Sequence, residues 1–345
     1  MTNRQVLLKR RPVGIPVVED FEIVDTPIQP VNDGDVLRRT IYLSLDPYMR
    51  GRMSDGPSYA APVALGQVMV GRTVAEVLES KHPGFTKGDF VAANDGWQAY
   101  GVSTGKALQK LDPAGAPMST ALGVLGMPGM TAYVGLLDIG QPKPGETVVV
   151  SAASGAVGSV VGQIARIKGC RAVGIAGSQA KCDYVVNELG FDACVSHKTD
   201  DLTAALAAAC PNGIDVYFDN VGGAVLKAVF RLMNQNARIP LCGTIADYNA
   251  VEPPPGPNLR PLLVKRALIK GFIVWDHSDR LPAFLKDCGA WYREGTLKYR
   301  EDIVDGLDNA PAGLLKLFDG QNFGKLIVRV SPDPTSRIPD SGEVR

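Results

Sequence analysis

The segment SAASGAVGS, residues 151–159, places Ala153, Gly155 and Gly158 at the A-x-G-x-x-G spacing of a phosphate-binding turn. Gly155 lets the backbone approach a pyrophosphate, whose charge then rests on the positive end of the following helix. Gly158 lets that helix pack close to the strand before it. A glycine pattern alone is weak evidence, since the same spacing suits a tight strand–helix turn with no ligand. Here the apolar TVVVSA (147–152) precedes it and the helical pattern VGSVVGQIARIKG (157–169) follows, which is the context a dinucleotide site needs.

The residues after the second strand select the dinucleotide. NAD enzymes usually carry an acid about 20 residues past the turn, bonded to the adenine ribose 2′-hydroxyl. RAVGIA (171–176) is instead followed by Gly177, Ser178 and, about one helical turn on, Lys181. Glycine leaves room for a 2′-phosphate, serine can donate a hydrogen bond, and lysine supplies charge. The pattern points to NADP(H), although Lys181 also suits a solvated helix start.

Tyr248 and Asn249, in CGTIADYN (242–249), lie just past the expected C-terminal end of a sheet strand, where open α/β sheets place ligands. A phenol there can donate to a developing enolate oxygen and relay a proton. A cofactor-packing or loop role fits the same position. Other chemistries lack parts. Residues 1–120 contain no cysteine and a single histidine, His82, so first-domain zinc ligands are missing. The six cysteines have no CxxC pair and read as small buried apolar residues, so no metal site is expected. GVSTG (101–105) fits G-x-S-x-G with Ser103 as nucleophile, but it lacks the strand–turn–helix context of a nucleophile elbow. Conjugate reduction asks less: the protein must position an enone and stabilise an enolate, with hydride coming from a nicotinamide.

The elements that must hold these residues show two textures. Up to about residue 120 come short β segments, VLRRTIYLSL (36–45), GRTVAEVLES (71–80) and DFVAAN (89–94), separated by Gly, Asp and Pro turns. From about residue 121, apolar strands alternate with helices. TVVVSA, RAVGIA, ACVSH (193–197), IDVYFDN (214–220), ARIPLCG (237–243) and IKGFIVWD (269–276) make six strands, predicting a parallel sheet covered on both faces. GKLIVRV (324–330) is a late strand that can return to the first domain. The expected fold is α/β, a doubly wound parallel sheet beside a β-rich domain, and 345 residues suit two domains. Lys plus Arg equals Asp plus Glu at 36 each, so no net field favours nucleic acid or an anionic membrane. No signal peptide or run of 18 apolar residues is present, and a soluble cytoplasmic protein is expected.

Further motifs join these: SLDPYMRGRM (44–53), GMPGMTAY (126–133), DNVGG (219–223), PPPGP (253–257) and QNFGK (321–325). With them the chain resembles, over nearly its whole length, the zinc-independent medium-chain dehydrogenase/reductases of the leukotriene B4 12-hydroxydehydrogenase/15-oxoprostaglandin 13-reductase group, and within it the bacterial curcumin reductases. The resemblance implies a GroES-like β-barrel catalytic domain formed by residues 1–120 and completed by about 310–345, with a Rossmann domain over 121–309. It also implies NADPH in the cleft between them, and a homodimer. Cofactor contacts are implied at Gly155, Ala156, Val157, Gly158, Ser178, Lys181, Asn220, Cys242, Tyr248 and Asn322. Met127, Pro128 and Thr131 would abut the nicotinamide from the helix linking the domains, or else pack a hinge. Tyr59, in GPSYAAP, would lie over the substrate, and Tyr48 and Arg50 would line the cleft or form a structural turn. The PPPGP loop would act as a stiff lid. One departure stands out: where relatives carry a tyrosine that contacts the adenosine phosphate, this chain has His197, which replaces that contact in part and in a pH-dependent way.

The expected activity is NADPH-dependent reduction of the C=C bond of α,β-unsaturated ketones, with a small-molecule enone as substrate and Tyr248, Tyr59 and Asn249 as candidate catalytic residues. Two alternatives remain open at this point: quinone or allylic-alcohol oxidoreduction on the same cofactor, and NADPH binding without turnover.

Overall fold

Residues 2–252 and 254–336 are described by a computed structural model. The Val/Ile runs form six parallel strands: β1 (Thr147–Ser151), β2 (Arg171–Ala176), β3 (Ala193–Ser196), β4 (Ile214–Phe218), β5 (Met233–Leu241) and β6 (Leu268–Gly271). Their spatial order is β3-β2-β1-β4-β5-β6. The order reverses between β1 and β4, so a crevice opens at their C-terminal ends, where ligands bind in such sheets. β1 is buried along its whole length, as a central strand covered on both faces must be.

The crossovers are helices: α1 (Gly158–Ile167), α2 (Gln179–Asn187), α3 (Leu202–Ala209) and α4 (Gly223–Phe230). α1 buries Val160, Val161, Ile164 and Ala165, an i, i+1, i+4, i+5 stripe that seats it on the sheet. The sixth strand differs from expectation. IKGFIVWD was read as strand to its end, but β6 stops at Gly271 and Val274–Arg280 is a 3-10 stretch.

A second, mixed sheet of seven strands runs Glu301–Asp305, Lys325–Arg329, Asp35–Ser44, Thr73–Ser80, Phe90–Ala93 and Gln109–Leu111, with Tyr100–Thr104 paired on Asp35–Ser44. The chain thus rejoins this sheet at Glu301, earlier than the return expected from about 310. Thr2–Leu8 and Phe21–Pro27 form a separate antiparallel pair that sequence periodicity did not flag. Ser103 lies within the strand Tyr100–Thr104 and accepts a 3.0 Å bond from Arg38 Nη2. Residues 101–104 of GVSTG are therefore strand, with Ser103 inside it and not at a nucleophile elbow.

Two contacts pin the cleft walls to this sheet. Lys325 Nζ donates to Asp46 Oδ1 (2.8 Å) and to the Leu45 carbonyl (2.7 Å), a buried ion pair holding the DPYMR segment to the return strand. The linking helix Met127–Val134 is buried from Pro128 onward and packs into the core of the parallel sheet.

Candidate active site

The turn after β1 has the shape its sequence demands. Ala152 takes a left-handed φ of 51°, and a Cβ at Gly158 would run into the Ala152 carbonyl. Only glycine lets α1 start this close to β1. No side chain caps α1 at its N-terminus; the N–H groups of Ser159, Val160 and Val161 already bond the Gly155 and Val157 carbonyls, which leaves the Gly158 N–H to a ligand or water. Gly155 forms an isolated bridge with Gly324, bringing QNFGK against the turn. Asn322 there donates to the Gly324 carbonyl at 3.1 Å. On the other side, Asn220 N bonds Ser151 Oγ (2.9 Å) and its side-chain amide bonds Ser151 O (2.8 Å). Asp219, fully buried, accepts from Tyr217 Oη, Val221 N and Gly222 N at 2.8–2.9 Å, which fixes the DNVGG turn.

The end of β2 fits a phosphate and not a ribose diol. Gly177 stands where an acid would, and a Cβ there would come 3.4 Å from His197 Nε2. Ser178 caps α2, its hydroxyl accepting from Lys181 N at 3.4 Å. Lys181 Nζ donates to the Gly320 carbonyl at 2.7 Å, so in this structure it bridges the sheets at the mouth of the cleft. Burial and the ammonium groups of Lys198 and Lys181 hold the His197 pKa below its usual 6.5. Lys198, which the sequence reading passed over, thus adds a third cationic or protonatable group to this corner. The uncapped helix, the glycine turn and this cationic corner fit a dinucleotide phosphate, and residues 155–158, Ser178, Lys181 and His197 would hold it.

At the C-terminal edge of the sheet, Tyr248, Tyr59 and Cys242 come together. Tyr248 follows the short 3-10 turn Ile245–Asp247. Its hydroxyl folds back over Gly243, 2.9 Å from where a Cβ would stand. Burial pushes the Tyr248 phenol to about 12, and the Cys242 thiol to about 12. Tyr59 and Cys242 lie near enough to Tyr248 for their charge to be felt there. Tyr59 is 62% exposed, and the partial burial it has raises its phenol. At neutral pH these groups are protonated donors, not bases.

Asn249 does not point its amide freely into the cleft. Its Oδ1 accepts from Arg50 Nε at 3.1 Å, and the same guanidinium donates to Ser54 Oγ (2.7 Å) and Gly14 O (3.0 Å). Arg50 is therefore a structural clamp more than a cleft lining. Met127 is half-buried, Pro128 is buried, and Thr131 bonds its own helix through the Met127 carbonyl at 2.8 Å. Of the PPPGP loop, Pro253 lies outside the described residues, and 254–257 has no regular structure. Among the described residues no group of three or more His, Cys, Asp or Glu could hold a metal ion.

Two families match the chain: one described as the N-terminal domain of oxidoreductase, over residues 4–111, and one described as zinc-binding dehydrogenase, over 156–288. An NADPH-dependent curcumin reductase of Escherichia coli (strain K12) is 52% identical over 337 residues, covering 96% of this chain and 98% of that protein. The 2-alkenal reductase (NADP(+)-dependent) of Nicotiana tabacum is 44% identical, covering 96% and 98%. The crystal structure of CurA in complex with NADPH from Vibrio vulnificus superposes with a TM-score of 0.92 at 50% identity, covering 96% of this chain and all of that one.

Proposed function

The chain belongs to the zinc-independent medium-chain dehydrogenase/reductase family, in its curcumin reductase branch, and from that membership we propose that it reduces the C=C bond of α,β-unsaturated ketones with NADPH. The observation that carries this reading is the protonated phenol of Tyr248, set beside Tyr59 and Cys242 at the C-terminal edge of the parallel sheet. When bound, NADPH supplies the hydride. The protein's own task is to hold the enone oxygen against a neutral O–H donor, whose bond strengthens as that oxygen gains charge. Tyr248 does this, Tyr59 covers the substrate, and Asn249 anchors the Tyr248 turn. The backbone of 155–158 and the side chains of Ser178, Lys181, His197, Asn220 and Asn322 hold the cofactor, with Cys242 and the start of the linking helix at Met127, Pro128 and Thr131 packed behind it.

Residues 1–120 with the C-terminal return form the substrate side, and the segment between forms the cofactor side. The protein acts as a cytoplasmic homodimer. Its six cysteines are free thiols, as suits a reducing compartment. Edge strand β6 carries Leu268 at 51% exposure, near Leu263 at 79% and Val264 at 52%, the kind of open apolar edge that a second copy covers. The test of the activity is NADPH oxidation with methyl vinyl ketone and with its saturated ketone, with products identified by mass. The saturated ketone should form from the enone and be inert itself; formation of the allylic alcohol would overturn the reading.

A further inference from the structure

Arg72, just ahead of the strand Thr73–Ser80, meets Trp275, in the 3-10 stretch after β6, across the boundary between the two sheets. The guanidinium carbon stands 5.9 Å from the indole centroid. Nη2 of Arg72 donates to Gln109 Oε1 at 3.1 Å, which fixes the direction of the fork. Among the described residues no ion pair neutralises it, and burial lowers its pKa with only the Tyr48 phenol opposing. An arginine stays charged regardless, so this is an oriented, partly desolvated cation. Arg280 makes the contrast: it too stacks on an aromatic ring, Tyr133 at 5.6 Å, but Asp138 pairs with it at 2.8 Å.

The indole of Trp275 is 54% exposed, an unusual state for so large a ring. Arg72, Gln109 and Trp275 line one pocket together with the apolar Met127, Met130 and Leu281. Met127 also lies on the linking helix that the proposed function sets beside the cofactor, which puts the pocket next to that site. An apolar slot with an indole on one wall and an unneutralised guanidinium on another suits a flat ring that ends in a negatively charged oxygen.

We propose that Arg72 and Trp275 form a substrate subsite for an aryl group bearing an anionic oxygen, so that the preferred enones carry an acidic aromatic substituent. The inference rests on the enone-reductase reading above and names the substrate class of that site. Trp275 supplies the face for the ring, and Arg72 pairs with the anion while Gln109 keeps the fork aimed.

The test compares benzylideneacetone with its para-carboxy analogue, using methyl vinyl ketone as the non-aryl control. For the wild type, KM for the carboxylate should be roughly tenfold below that of the neutral aryl enone and should rise with added salt, as for a charge-assisted contact. Arg72→Gln should erase that advantage, raising KM for the carboxylate roughly tenfold more than for the neutral aryl enone. Trp275→Ala should raise KM for both aryl enones and not for methyl vinyl ketone. Calorimetric binding of the saturated para-carboxy ketone to the NADP+-loaded protein repeats the comparison without turnover, so a failure of the enone reading does not hide the subsite. Equal affinity for the neutral and carboxylated ketones in the wild type, or an equal effect of Arg72→Gln on both, would overturn the proposal.

Discussion

Arg50 reaches from the DPYMR segment to Asn249 on the far wall of the cleft, its Nε donating to Asn249 Oδ1 over 3.1 Å although the two residues are 199 positions apart. The guanidinium also ties in Ser54 and the Gly14 carbonyl. One buried cation therefore sets the position of the turn that carries Tyr248. Asn249→Ala removes the acceptor and leaves the guanidinium short of a partner. A hydrogen bond to a charged group is worth about 1.5–3 kcal/mol, so kcat should fall roughly ten- to a hundredfold. NADPH affinity, measured by fluorescence titration, should stay within about twofold of wild type, because the proposed phosphate contacts lie elsewhere. A loss confined to NADPH affinity would show that the pair serves the cofactor instead.

His197 should make cofactor binding sensitive to pH. Burial, then the charges of Lys198 and Lys181, hold its free pKa below 6.5, so the imidazole is neutral at neutral pH. A 2′-phosphate beside it favours the protonated form and raises that pKa, so binding takes up a proton. By linkage, NADP+ should bind more tightly as pH falls from the bound-state pKa toward the lower free-state pKa, while NAD+ shows no such slope. The phosphate's own protonation, near about pH 6, trims the gain at the acid end. Calorimetry of both nucleotides across pH checks this, and His197→Tyr should flatten the slope. Identical NADP+ profiles for wild type and variant would remove His197 from the site.

The parallel sheet and phosphate turn were legible in the sequence because their signals are local: Val/Ile runs, glycine spacing, and Gly177 where an acid is usual. What the sequence hid is non-local. Trp275 was read into a strand because FIVW is apolar, yet β6 ends at Gly271 and the indole turns toward Arg72 of the other sheet. Arg50 was seen as a cleft or turn residue, but its clamp on Asn249 depends on a fold that joins segments 12–14, 50 and 249. Asn249 itself was expected among the catalytic groups, and the structure engages its side chain with Arg50. The early return at Glu301 had no sequence mark, since EDIVD is a short charged strand whose place is set by pairing with Lys325–Arg329.

Glu301, at the start of that return strand, should set an alkaline limit on stability. Burial pushes its carboxyl from 4.5 to about 7, with Ser119 and Lys325 opposing, and Oε1 has no hydrogen-bond partner. Because the folded pKa lies above the unfolded one, its contribution is fully present below about pH 4.5 and is lost as pH rises through about 7. Glu301→Gln has no charge to desolvate. It should be more stable than wild type near about pH 8, by on the order of 2 kcal/mol, and lose most of that advantage near about pH 5. Urea unfolding at the two pH values measures this. A variant less stable than wild type at the higher pH would mean that the carboxylate is held by a partner.

Tyr248 gives the sharpest test of the chemistry. Its phenol is protonated at neutral pH, with a pKa near about 12, and sits among Tyr59 and Cys242 at the sheet's C-terminal edge. A donor with so high a pKa does little for a neutral ketone oxygen but much for one that has gained charge, so its effect falls on the transition state. Tyr248→Phe should lower kcat by roughly one to two orders of magnitude, a single such donor being worth about 2–4 kcal/mol at most. NADPH affinity should remain nearly intact, and saturated ketones should stay inert for wild type and variant alike. Single-turnover kinetics separate the outcomes, because an effect on chemistry slows hydride transfer from a preformed complex whereas an effect on binding does not. If the variant keeps its single-turnover rate with enones and binds NADPH poorly, Tyr248 is a cofactor contact, and Tyr59 becomes the donor to test next.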